Sequence, residues 1–316
     1  MAVRPEPPDD GRVRTVFLGS GAFAVPALRA LAESALVRIV AVVTAEPKQV
    51  GRKQVWTPTP VETAARSLGI EPVLTPPRLR HPDAIAAILA LRPALAVLAD
   101  YGQIVPPPLL DLPHGALNLH PSLLPRFRGA SPVPAAILAG DPETAITLMR
   151  MDAGLDTGPL VAQERVRLDG TETAPELEAA LAARGAALLA GSLPGWLDGS
   201  LRATPQPEDG VVLTRPLRRE DGRLDPAQSA PALERMVRAY QPWPGTFLEV
   251  GGERVVVNEA AVAPAGDGDV PGAIVREGRD PALATPDGRL VLHTVTPAGK
   301  RAMPGADWLR GRRDLA

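Results

Sequence analysis

The 316-residue sequence contains no cysteine. Disulfides, thiolate metal sites and a cysteine nucleophile are therefore excluded. Histidine is scarce too: there are four, His81, His114, His120 and His293, spaced too widely to suggest a metal cluster, and no metal is expected. Aromatic residues make up 3% of the chain, a depletion that accompanies abundant Ala, Pro and Arg and carries no functional signal. No apolar run approaches the roughly 18 residues of a membrane span, so no membrane partner is expected. Residues 1–12 are polar and Pro-rich without the apolar centre of a signal peptide, and are expected to be a disordered tail. Neither sign of charge dominates, with 34 Lys+Arg against 36 Asp+Glu and a net charge of -2. That excludes blanket nucleic-acid affinity but allows a local basic patch. A chain 45% hydrophobic and 22% charged is globular, long enough for about two domains, and is expected in the cytoplasm.

What is present concentrates at Asn118-Leu119-His120-Pro121-Ser122-Leu123-Leu124-Pro125-Arg126-Phe127-Arg128-Gly129. Ala116–His120 reads as a short strand running into a loop fixed by two prolines. Side chains alternate along a strand, so Asn118 and His120 share a face about 7 Å apart. An amide and an imidazole at a strand end can act as an acyl-transfer pair, and ligands of open α/β sheets favour such ends. The same residues also suit a His bonding a nearby loop and an Asn opening a turn.

Earlier in the chain, an apolar run Val13–Leu18 ends in Gly19-Ser20-Gly21-Ala22-Phe23-Ala24 ahead of a helix with Pro26 near its start. The spacing G-x-G-x-x-A matches a dinucleotide fingerprint, with Glu46 just beyond the next strand, Val37–Thr44. It equally suits a tight strand-to-helix turn. Ala45–Thr57 is a polar loop with Lys48, Arg52, Lys53 and Trp56, long for a connection of this type. Its basic side chains either contact phosphates or form a solvated surface. Helices at Pro60–Leu68 and Pro82–Leu91 alternate with extended segments at Pro72–Thr75 and Leu95–Ala99, which predicts a Rossmann-like, mostly parallel α/β sheet. Asp100-Tyr101-Gly102-Gln103 follows another strand end, where a ligand is expected. A helix at Pro132–Ala139 and a strand at Thr144–Met151 lead into Asp152–Pro159. An Asp in that loop either bonds its own backbone or supplies the carboxylate that would orient His120. A strand at Leu160–Leu168 and a helix at Pro175–Leu189 close a first domain spanning 13–190.

Residues 191–210 have linker composition, and 211–316 differ in texture. A helix at Pro231–Tyr240 and short strands at Thr246–Glu249, Arg254–Asn258, Ala273–Arg276 and Leu290–Val295 suggest a small OB-like β-barrel. His293 reads as a packed or half-exposed strand residue. Basic residues cluster at Arg215, Arg218 and Arg219 and at Lys300, Arg301, Arg310, Arg312 and Arg313. They suit a nucleic-acid backbone or a solvated face.

Taken together, Asn118–Gly129 and Met151-Asp152-Ala153-Gly154-Leu155-Asp156-Thr157-Gly158 resemble the folate-dependent formyltransferases. Further segments extend the likeness from about Val13 to Arg313, towards the branch acting on methionyl-tRNA. These are Ala41–Thr44 with Gly51-Arg52-Lys53, Tyr101–Pro106, Arg223–Asp225, Arg238–Pro244 and Pro297–Met303. The resemblance implies a Rossmann-like catalytic domain that uses 10-formyltetrahydrofolate as co-substrate, not NAD, and an OB-like tRNA-binding domain. It implies formyl transfer to the α-amine of initiator methionyl-tRNA, for translation initiation, by a monomer. Asn118, His120 and Asp156 fall on catalytic positions. Ser122, Leu123, Leu124, Pro125, Tyr101 and Gly102 fall on the folate side, and Arg52, Lys53, Lys300 and Arg301 on the tRNA side. Departures from the family pattern occur at Gly19–Phe23, Glu46–Gln49, Phe127 and Thr214–Leu217. The alternatives are a formyltransferase or formyl-folate hydrolase acting on a small molecule, which would not require the basic 45–57 loop. An RNA-binding protein with a decayed site is disfavoured by the intact Asn118, His120 and Asp156.

Overall fold

The expected alternation of apolar strands and helices forms the first part of the molecule. A computed structural model describes residues 10–51 and 54–312. In chain order it contains β1 (Val13–Gly19), α1 (Val25–Glu33), β2 (Val37–Val43), β3 (Lys48–Val50), β4 (Val55–Thr57), α2 (Pro60–Ser67), β5 (Val73–Leu74), α3 (Pro82–Leu89), β6 (Leu95–Ala99), α4 (Pro107–Leu110), β7 (Ala116–His120), β8 (Arg128–Gly129), α5 (Pro132–Ala139), β9 (Glu143–Arg150), β10 (Leu160–Arg167) and α6 (Ala174–Asp198). After these come β11 (Leu213–Thr214), α7 (Ala230–Ala239), β12 (Thr246–Val250), β13 (Glu253–Ala263), β14 (Ile274–Glu277), β15 (Asp280–Thr285), β16 (Gly288–Pro297), β17 (Met303–Pro304) and α8 (Gly305–Arg310). None of the described helices is long and apolar enough to cross a membrane.

The chain forms two compact units. One contains the residues up to Arg128, Ala145–Val166 and Glu178–Val212; the other contains Gly129–Thr144, Arg167–Leu177 and the residues from Leu213 onward. The first is built on a sheet of order β10-β9-β7-β6-β1-β2-β5. Its β1, β2, β5, β6 and β7 are parallel, whereas β9 runs antiparallel to β7. β6 is buried along its whole length and β1 from Thr15 onward, as continuous apolar strands covered on both faces must be. Each fully buried Leu or Val side chain contributes roughly 1.5–3 kcal/mol of transfer free energy, which makes this sheet a firm platform. β1 leads outward to β2 and β6 leads the other way to β7, so the order reverses between β1 and β6. Their carboxyl ends form the topological switch point, where ligands of such sheets bind.

Local signals explain several boundaries. Thr59 caps α2 by accepting from the Glu62 N–H at 3.0 Å, with Pro60 in the first turn. Two expectations need correction. The 45–57 segment is not a plain loop, because β3 and β4 pair antiparallel with Gln49 opposite Trp56. Val50, Val55 and Trp56 suit a strand, and the positive φ of Gly51 and Gln54 lets the chain reverse. α6 continues to Asp198, into the stretch expected as linker. Gly191-Ser192-Leu193-Pro194-Gly195 has breaker composition, but Ser192 and Leu193 are buried, and tertiary burial overrides weak local propensity.

In the second unit, β12-β13-β16-β15-β14 form one antiparallel sheet, with β17 added against β16. The long β13 carries register irregularities around Glu259, where bulges of this kind locally increase strand twist. α5 packs on α7, where Arg235 Nε donates to the Leu138 carbonyl at 3.1 Å. β15 and α8 have no counterpart in the sequence reading. Asp280-Pro281 looks like a turn, yet Pro281–Thr285 are buried, and α8 is too short to show a period. His293, on β16, is a half-exposed strand histidine 3.0 Å from the Asp280 carboxylate, as expected.

Candidate active site

β7 delivers Asn118 and His120 on one face, between β6 (Leu98 opposite Asn118) and β9 (Thr147 opposite His120). His120 is 5% exposed. Its Nε2 lies 2.9 Å from the Phe127 carbonyl oxygen. A carbonyl can only accept, so Nε2 carries the hydrogen and donates it. Nδ1 is then the ring position left to gain or lose a proton, and it lies 3.7 Å from Asp156 Oδ2. That is ion-pair distance, longer than a hydrogen bond. Phe127 and Asp156 both have left-handed backbones, with φ of 59° and 51°. Such conformations cost a non-glycine residue about 1–3 kcal/mol and cluster at functional sites. Here they bring a carbonyl and a carboxylate to the two nitrogens of one imidazole. The Asn118 amide makes no hydrogen bond with the described residues, which leaves its N–H available to an oxyanion.

The loop after His120 is held from within. Ser122 N donates to the His120 carbonyl at 2.9 Å and Ser122 Oγ to the Arg126 carbonyl at 2.7 Å. Thr147 Oγ1 donates to the Ser122 carbonyl at 2.7 Å. Gln163 Nε2, from β10, reaches Thr147 Oγ1 at 2.8 Å and the Leu124 carbonyl at 3.3 Å. In the segment expected on the folate side, Ser122 is fully buried and its hydroxyl holds the loop. Leu124 and Pro125 are also buried, and within Ser122–Pro125 Leu123 alone keeps appreciable exposure. Nothing in the sequence marks Thr147 and Gln163, because each sits in an ordinary strand pattern.

Each candidate role of an Asp in the 152–159 loop falls to a different residue. Asp152 Oδ1 makes the turn, accepting from Gly154 N at 2.9 Å and Thr157 Oγ1 at 2.7 Å. Asp156 carries the carboxylate to His120. Gly158 is required because a Cβ there would run into the Arg150 carbonyl.

At the switch point, Ser20 N donates to the Asp100 carbonyl at 3.0 Å. The Gly21 N–H donates to the Asp100 carboxylate, and a Cβ on Gly21 would collide with that carboxylate. The glycine turn thus accommodates the Asp100 side chain, a packing reason for Gly21 that needs no pyrophosphate. Asp100 is exposed, and desolvation by the protein around it pushes its carboxyl up, opposed by the Gly21 N–H.

Tyr101 packs against the apolar layer that includes Val105 and Leu109. Its hydroxyl is buried with no hydrogen-bond partner among the described residues, and burial pushes the phenol up to about 12. Beside it, Gly102 has open space and Ile104 is 77% exposed. Burial also raises the other tyrosine, Tyr240, so an alkaline titration followed by tyrosinate absorbance should show no step at the ordinary value of 10. An ordinary step there would contradict the burial of both rings. The unfolded chain ionises first, so the Tyr101 contribution to stability is full below 10 and is lost as pH rises through about 12.

Of the expected tRNA contacts, Arg52 and Lys53 lie outside the described residues. Lys300 and Arg301 are exposed at the β16–β17 turn of the second unit and make no ion pair among the described residues. Other members of the basic clusters have acidic partners: Arg215 with Asp221 and Arg310 with Asp307, both at 2.6 Å, and Arg312 with Glu253 at 3.0 Å. Among the described residues no group of His, Cys, Asp and Glu could hold a metal ion.

Residues 13–193 match the model of the family described as formyl transferase, and residues 216–313 match formyl transferase, C-terminal domain. The chain belongs to the formyl transferase family. Among its relatives, the methionyl-tRNA formyltransferase of Myxococcus xanthus (strain DK1622) is 44% identical over 304 residues, 96% of each chain. That of Roseiflexus sp. (strain RS-1) is 45% identical over 311 residues, 95% of this chain and 93% of the relative. Among solved structures, the sugar 3N-formyl transferase WlaRD, studied with dTDP and 5-N-formyl-THF, aligns with a TM-score of 0.65 at 15% identity. The alignment covers 92% of this chain and 99% of WlaRD, a likeness of fold. As a formyl transferase, the chain is an enzyme that moves one-carbon groups.

Proposed function

We propose that this formyl transferase moves the formyl group of 10-formyltetrahydrofolate to the α-amine of methionyl-initiator-tRNA, for translation initiation. The observation that supports the chemistry is the imidazole of His120, gripped at Nε2 by the Phe127 carbonyl and faced at Nδ1 by Asp156, beside the Asn118 amide. The full-length likeness to methionyl-tRNA formyltransferases supports the substrate. Lys300, Arg301, Arg52 and Lys53 would meet the tRNA. Gly102, Ile104 and Leu123 offer accessible surface, largely apolar, for a flat ring system. A monomer in the cytoplasm completes the reading.

An α-amine with pKa about 7.7–8.0 is substantially neutral near pH 7 to 8 and can attack the formyl carbon. A C–N bond forms to the methionyl nitrogen and the bond from the formyl carbon to the folate nitrogen breaks. Asn118 would donate its N–H to the oxygen as negative charge develops there. With Nε2–H committed to Phe127, His120 would work through Nδ1 in concert with Asp156. The pair would receive the proton lost by the attacking amine and return one to the departing folate nitrogen. A formylation assay with initiator methionyl-tRNA, elongator methionyl-tRNA and an amino-sugar nucleotide tests the reading. The initiator tRNA is expected to be preferred; transfer to the amino sugar alone would overturn the substrate assignment.

A further inference from the structure

Gln206 lies in the segment between α6 and β11, whose composition is that of a linker. The segment is docked at both ends. Thr204 and Leu160 exchange two backbone hydrogen bonds, at 2.7 and 2.8 Å, and the Val212 carbonyl accepts from Arg128 N at 2.9 Å. Between these anchors the Gln206 side chain bridges two loops. Its Nε2 donates to the carbonyls of Asp156 at 2.8 Å and Gly158 at 2.7 Å. Its Oε1 accepts from Arg128 Nε at 3.1 Å and from the terminal nitrogen Nη2 at 2.8 Å. Both amide hydrogens and both acceptor positions are used, so the amide has one orientation available.

The importance of the bridge lies in what the two loops carry. Arg128 directly follows Phe127, whose carbonyl holds His120 Nε2, and Asp156 presents its carboxylate to Nδ1. The two grips on the imidazole come from segments distant in sequence, each with a left-handed residue at its tip. Gln206 ties them to each other. We infer that Gln206 is a positioning residue for formyl transfer, setting the approach of Asp156 to His120 Nδ1 from outside the reacting groups. For its activity readout the inference rests on the formyl-transfer reading.

Two substitutions separate this role from general support. Gln206→Ala removes the whole bridge. Gln206→Glu keeps an acceptor for Arg128, now as an ion pair, but turns carboxylate oxygen towards the carbonyls of Asp156 and Gly158. Misplacement of a catalytic group by about 1 Å can cost on the order of 10²-fold in rate. Both variants are therefore expected to lose about tenfold or more in kcat, with KM for both substrates within about threefold. Gln206→Glu should be as slow as Gln206→Ala while unfolding at a higher temperature, a split between rate and stability that a purely structural role would not produce. If Gln206→Ala fails to fold, Gln206→Glu alone carries the test. A Gln206→Glu enzyme within about twofold of the parent kcat would overturn the inference. No transfer by the unsubstituted chain would instead sink the formyl-transfer reading and this inference with it.

Discussion

Asn118→Ala should lower kcat for formyl transfer by about 10²- to 10³-fold and leave KM for both substrates within about threefold. The Asn118 amide has no partner among the described residues, so its removal leaves no buried group unsatisfied and disturbs no network. Its N–H matters only when charge develops on the formyl oxygen, and one such donor is worth about 2.7–4 kcal/mol of barrier. The loss should therefore appear in kcat, not in ground-state binding. Steady-state kinetics over the full range of both substrates separates the two. A variant that turns over at near the parent rate would remove Asn118 from the mechanism.

Asp156→Asn is expected to lower kcat by about 10²-fold or more, with the thermal midpoint nearly unchanged. Asparagine tolerates the left-handed φ of 51° that this position needs, and it nearly matches aspartate in volume. The backbone carbonyl that accepts from Gln206 is retained. The charge facing His120 Nδ1 is lost, and the rate reports that loss with the backbone kept in place. Asp156→Ala would confound the measurement with backbone strain. His120→Ala would do so with an orphaned Phe127 carbonyl, a buried acceptor whose lost partner costs about 1–3 kcal/mol. If Asp156→Asn retains most of the parent kcat, Asp156 merely packs beside the imidazole and the proton must travel by another route.

The Gln206 substitutions address the same pair from a distance, which makes the three positions a connected set. Effects at residues that act as a unit are not additive. Gln206→Glu placed on top of Asp156→Asn should therefore add little to the defect, because the carboxylate it positions is already gone.

Much of this was legible in the chain because it depends on local rules. Strand parity puts Asn118 and His120 on one face regardless of what surrounds them. Apolar runs spaced by helical periods call for a parallel sheet covered on both sides. Gly154 and Gly158 around Asp156 announce a sharp loop, and an amide, an imidazole and a carboxylate at strand ends limit the chemistry to a few kinds. Folding decided the pairings. Which imidazole nitrogen meets a carboxylate depends on the Phe127 carbonyl, and every residue has a carbonyl, so no letter of the sequence marks it. Gly21 suits a pyrophosphate by its spacing, and only the folded chain sets the Asp100 carboxylate against it. Ser122 had the same composition whether its hydroxyl faced a ligand or the Arg126 carbonyl. Gln206 sat in apparent linker because its partners are two loops remote from it along the chain. In each case the distinguishing energy comes from contacts between segments far apart in sequence, and these exist only once the sheet has brought its strand ends together around His120.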